Sequence, residues 1–145
     1  MNVTSVDAGE TRAQSKYDFL IAAAQAVPPA LTVVVHPCDE TSLRGAVDSA
    51  AAGIIQPVLI GPERKIKDTA RRYSLDISRF EIVDAPHSEA AAAKGVELIH
   101  AARGEMLMKG SLHTDELMRS VTAKVGGLRT ERRISHGFVM DVPAY

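Results

Sequence analysis

The sequence lacks the residues that several common chemistries need. Of its 145 residues one is cysteine, Cys38, and none is tryptophan. A single cysteine excludes an internal disulfide and a cysteine-based metal cluster. Aromatic residues make up only 4%, so alanine, valine, isoleucine and leucine must fill the core. No apolar run approaches the ~20 residues of a membrane-spanning helix, and the N-terminus MNVTSVDAGETRAQ carries no apolar leader. A formal net charge of −1 provides no overall basic field for nucleic acid, so any anion site must be local. The patterns GxGxxG, GxxxxGK[ST], HExxH and GxSxG are all absent. These absences point to a chain of the cytoplasm that uses no metal and no bound cofactor.

What is there is a regular alternation. Residues 1–14 are small and polar and read as a flexible tail, followed by one α/β domain over residues 15–145. Tyr17–Ala26 is rich in helix formers and stops at Pro28-Pro29. Leu31–Val35 (LTVVV) is an unbroken β-branched run, as a strand buried on both faces would be. Asp39 caps a predicted helix over Glu40–Ala52, which Gly53 ends. A strand over Pro57–Ile60 leads through Gly61-Pro62 into a helix reaching Tyr73. Phe80–Asp84 is a third strand. Ser88 caps a long alanine-rich helix to Arg103, closed by Gly104. Met106–Met108 is a fourth strand, Asp115–Lys124 a fifth helix, and Ile134–Met140 a fifth strand. Strand–helix alternation with short connections predicts a parallel, doubly wound sheet. An antiparallel last strand is the alternative arrangement.

The segment MKGSLHTDEL, residues 108–117, joins a strand's carboxyl end to a helix. Ligands of open α/β sheets bind at such ends, where free helix N–H groups and the helix dipole favour anions. The dipole alone contributes about 0.3–1 kcal/mol, so a phosphate also needs side-chain charge. Gly110 permits a close backbone approach, Ser111 and Thr114 carry hydroxyl donors, Lys109 a charge, and His113 a ring that donates or accepts. The plainer reading is that Thr114 caps the helix and Gly110 makes a tight turn. Arg119 lies five residues past Thr114 and either folds back to the turn or faces solvent. The loop GGLRTERR places Arg129, Arg132 and Arg133 within five residues. Guanidinium groups hold phosphate bidentately, and a solvated basic loop balanced by Glu131 is the alternative. In HPCD, residues 36–39, Asp39 reads as a cap and Cys38 as a small buried residue.

These runs resemble a known family. MKGSLHTDELMRSVTAKVGGLRTERRISHGFVMDVPAY, residues 108–145, resembles the central stretch of phosphate acetyl/butyryltransferases. VVHPCDETSLRGAVDSAAAGIIQPVLIGP and EIVDAPHSEAAAAKGVELI resemble the same family's first half. The resemblance implies a three-layer α/β/α fold with a mostly parallel doubly wound sheet, like the first domain of isocitrate and isopropylmalate dehydrogenases. It implies transfer of an acyl group between coenzyme A and phosphate in a cleft between two domains, and a homo-oligomer. Coenzyme A is then a substrate, and acyl-CoA and phosphate are the small-molecule partners. The resemblance places Arg119 as the catalytic residue at the substrate phosphate. It places Lys109, Gly110, Ser111, His113 and Thr114 at the phosphate turn; Arg129 and Arg133 are substrate-binding candidates on their guanidinium chemistry alone. It also implies a second half of the family pattern, carrying a serine, an arginine and an aspartate, without counterpart here. A non-catalytic anion- or CoA-binding module, or an assembly protein, derived from the same family is the alternative.

Overall fold

A computed structural model describes residues 16–140. The expected flexible tail, residues 1–14, and the closing DVPAY, 141–145, lie outside the described residues. Nine elements follow in order: α1 (Lys16–Gln25), β1 (Ala30–Val35), α2 (Glu40–Ala51), β2 (Ile55–Gly61), α3 (Glu63–Arg72), β3 (Glu81–Asp84), α4 (Ser88–His100), β4 (Met106–Lys109) and α5 (Thr114–Val121).

The four strands form one parallel sheet in the order β3-β2-β1-β4. β1 and β2 are central, and their unbroken apolar runs supply both faces. Val33 and Val35 of β1, with Val58 and Ile60 of β2, face Ala91, Ala92 and Leu98 of α4 and Leu117 of α5. Val34 and Leu59 face the other way, onto Leu43 and Ala46 of α2 and Ile66 and Ala70 of α3. The result is three layers with helices on both faces, as the alternation of elements predicted. The register levels Val35 with Ile60 on one side and Lys109 on the other, so β1 and β4 end together and β2 runs one residue further.

Small residues set the layer spacing. A Cβ on Gly104 would lie 2.5 Å from Val33 Cγ2. Gly104 is thus a packing glycine beside the central strand. It does not close α4; Ala102, at φ 56, makes the left-handed turn there. The predicted cap of α4 also shifts by one residue. His87 is the cap, with Nδ1 accepting the Ala90 N–H at 3.2 Å, and Ser88 becomes the first helical residue. Asp39 caps α2 as expected, accepting the Ser42 N–H at 2.9 Å.

The expected fifth strand does not form. Residues 134–140 have no regular structure, and Ile134, Phe138, Val139 and Met140 are exposed. The physical reason is pairing: a strand needs a partner's N–H and C=O groups, and this run meets none among the described residues. Its ring contact is local, His136 against Phe138 at 4.3 Å. α5 likewise stops at Val121, three residues short of the predicted Lys124.

Candidate functional site

In the strand order β3-β2-β1-β4 the direction of winding reverses between β1 and β4. α2 and α3 cover one face, and α4 and α5 the other. The loops after β1 and β4 therefore flank the switch point, where open α/β sheets hold ligands. Here the two loops are tied together. The Gly110 N–H donates to Val35 O at 2.8 Å and the Ser111 N–H to His36 O at 2.8 Å. Ser111 Oγ donates to His36 O at 2.8 Å and accepts from the Cys38 N–H at 3.1 Å. His36 Nδ1 lies 3.2 Å from Ser111 O.

This network gives Gly110 and Ser111 a part in joining the two loops. The missing Cβ of Gly110 admits β1: a Cβ there would lie 2.3 Å from Val35 O and 2.5 Å from His36 O. The Ser111 hydroxyl lies 2.8 Å from the His36 carbonyl oxygen.

The exposed part of the turn begins further on. His113 caps α5, where Thr114 was expected, and its N–H donates to Glu116 Oε2 at 2.8 Å. Glu116 Oε1 accepts from Ser88 Oγ at 2.7 Å, so one carboxylate joins the first turns of α4 and α5. The N–H groups of Thr114 and Asp115 have no partner among the described residues and lie on an exposed turn. These are the orphan donors that a helix start offers to an anion.

Arg119 stands beside them. One terminal nitrogen is 3.3 Å from Glu89 Oε1 in the first turn of α4, and the other is 3.8 Å from Asp115 Oδ2. The side chain is 69% exposed. Its head therefore lies between the first turns of both helices, held only by exposed ion pairs worth about 0–1 kcal/mol. Lys109, at the end of β4, reaches its own neighbour's carbonyl, Gly110 O, at 3.5 Å. It also helps to hold Asp39 in its ionised form, after the larger effect of the Ser42 hydroxyl and amide.

Arg129 and Arg133 sit elsewhere. With Thr122, Leu128, Glu131 and Arg132 they line a separate cavity of about 590 Å³, whose lining includes none of residues 109–119. The structure thus brings Lys109, Thr114 and Arg119 to one edge and leaves the arginine loop apart.

Hydrogen bonds from the Ser88 hydroxyl and the His113 amide hold Glu116 below the usual carboxylate range. A depressed folded-state pKa contributes stability above the unfolded value, which is lost as pH falls through the folded one. Ser88→Ala is therefore expected to raise the Glu116 pKa toward its ordinary value, shrinking this contribution and completing its acid loss at higher pH. A carboxyl ¹³C titration reads the pKa, and an unchanged Glu116 curve would refute the bridge. Cys38 behaves in the opposite sense. Burial lifts its thiol to about 11, and thiolate is the reactive form. Alkylation of native Cys38 by iodoacetamide at neutral pH is expected to run roughly a hundredfold slower than in urea. Equal rates would contradict the burial.

No family model matches the chain. A phosphate acetyltransferase of Rhizobium meliloti is 64% identical over 131 residues, covering 90% of this chain and 42% of that protein. A phosphate butyryltransferase of Clostridium beijerinckii is 33% identical over 129 residues, covering 89% of this chain and 43% of the other. Over nine-tenths of its length the chain is homologous to phosphate acetyl/butyryltransferases. It spans about two-fifths of the length of the curated relatives it matches. The EutD phosphotransacetylase from Staphylococcus aureus superposes with a TM-score of 0.54 over 72% of this chain and 43% of its own, at 17% identity. That likeness speaks for the shared three-layer α/β fold.

Of the residues of the edge, His36 was given no role from the sequence, and Glu116 was read only as part of the helix cap, without its bond to Ser88. Glu116 had a signal, three residues after His113 at the capping-box spacing. His36 had none until the strand order placed the end of β1 beside the end of β4.

Proposed function

We propose that this chain forms the phosphate-side part of a phosphate acyltransferase, which interconverts acyl-CoA plus phosphate with acyl phosphate plus CoA. The observation that carries this reading is the 64% identity to the Rhizobium meliloti protein over nine-tenths of the chain. The geometry supports it, because the shared stretch contains an edge with two free amides, a lysine and an arginine. Coenzyme A enters as a substrate, and the working form is a homo-oligomer in the cytoplasm.

In the direction of acyl-CoA formation, a base removes the CoA thiol proton. The thiolate then attacks the carbonyl of the acyl phosphate, and phosphate departs with the bonding pair. This chain's part is to hold that phosphate. The Thr114 and Asp115 amides bind its oxygens, Thr114 Oγ and Lys109 add a donor and a charge, and Arg119 swings from Glu89 to the departing oxyanion. Such preorganised donors act on charge that develops in the transition state. Holding two charged substrates in line contributes up to about 7–11 kcal/mol in favourable cases. No step calls for a metal or a covalent intermediate.

The test is a chimaera in which this chain replaces the matching stretch of the Rhizobium meliloti protein. CoA release from acetyl-CoA on addition of phosphate is expected at a rate within tenfold of the parent. A folded chimaera that releases no CoA would overturn the reading.

A further inference from the structure

His36 sits at the end of β1 in the left-handed region, at φ 57. Few residues other than glycine occupy that region, and those that persist there are held by their surroundings. The His36 N–H donates to Ile60 O at 2.6 Å and its carbonyl accepts the Cys38 N–H at 2.9 Å, and the opposite loop adds Ser111. The His36 carbonyl accepts both the Ser111 N–H and Ser111 Oγ, each at 2.8 Å. Its ring Nδ1 lies 3.2 Å from Ser111 O and 3.3 Å from Ser111 Oγ. We assign the hydroxyl proton to the carbonyl and the ring hydrogen to Nδ1, which then donates to Ser111 O at 3.2 Å.

We infer that the His36 ring is a positioning residue for the phosphate turn. Its Nδ1–H orients the Ser111 carbonyl and so the peptide plane leading into Leu112, two residues before the free Thr114 and Asp115 amides. The left-handed backbone turns the ring back over its own strand end and toward Ser111. The inference rests on the phosphate reading of this edge for its purpose, and on the His36–Ser111 contacts alone for its geometry.

Two variants separate the ring from the backbone. His36→Gly keeps the left-handed turn at no steric cost and loses the ring. His36→Asn also tolerates that conformation and keeps a short side-chain N–H donor. The readouts on the full chain are Ser111 amide exchange and the affinity for inorganic phosphate followed at the Thr114 and Asp115 amides. The Gly variant is expected to melt as wild type does, to exchange Ser111 at least tenfold faster, and to bind phosphate at least fivefold more weakly. The Asn variant is expected to stay within twofold of wild type in both. A Gly variant that matches wild type, or an Asn variant as impaired as Gly, overturns the positioning role. If the exchange pattern holds but wild type shows no phosphate response, the positioning stands and the phosphate reading falls.

Discussion

Replacing Gly110 by alanine is expected to destabilise the chain by about 3 kcal/mol, lowering its melting temperature by roughly 10 °C for a domain of this size. The added Cβ would meet Val35 O at 2.3 Å, His36 O at 2.5 Å and the His36 carbonyl carbon at 2.6 Å. All three are backbone atoms of the central strand's end, so no side-chain rotation relieves the contact. Relief requires β4 to draw away from β1, which breaks the Gly110–Val35 and Ser111–His36 bonds together. Leu112 and Leu117, just beyond, are buried in the α4–α5 face of the core, so the displacement carries inward. The phosphate turn moves with it, and phosphate binding should be lost at temperatures where the variant is still folded. Thermal melts and a phosphate titration check both halves. A variant that melts within 2 °C of wild type, a shift of about 0.5 kcal/mol, would show that the close approach is not tight.

The second large effect is catalytic. Arg119→Ala, made in the Rhizobium meliloti chimaera, is expected to cut phosphate-dependent turnover at least tenfold, about 1.4 kcal/mol of transition-state stabilisation. Stability should hardly change, because the partners Glu89 and Asp115 are exposed and such pairs contribute about 0–1 kcal/mol. That contrast separates a substrate role from a structural one. Arg119→Lys should lie between the two, since an ammonium keeps the charge but not the planar fork that grips two oxygens. Turnover at the parental rate in the alanine variant would remove Arg119 from the mechanism.

Much of the sheet was legible because its signals are local. LTVVV and PVLI are unbroken apolar runs, and the structure buries them between two helical layers. Asp39 could be read as a cap because the Asp-to-Ser42 spacing is itself the hydrogen bond. Where the decisive partner is distant in sequence, the reading failed. Gly104 looks like a helix terminator, yet its reason is Val33, seventy-one residues away. The contact of Gly110 and Ser111 with the end of β1, over seventy residues away, was likewise out of reach. Ile134–Met140 has the composition of a strand, but composition cannot supply a partner strand. The candidate site divides in the same way. Thr114 and Arg119 share α5 and Lys109 ends the strand before it, whereas the placement of Arg129 and Arg133 depended on how a loop folds back, and they line a cavity of their own.

Titrating the ¹⁵N-labelled chain with inorganic phosphate, while following every amide and the arginine side-chain Nε–H groups, probes the anion edge most directly. Saturable shifts are expected at the Thr114 and Asp115 amides and at Arg119 Nε, with Arg129 and Arg133 left unmoved. Shifts confined to Arg129–Arg133, or none that saturate at the start of α5, would contradict the placement of phosphate at this edge.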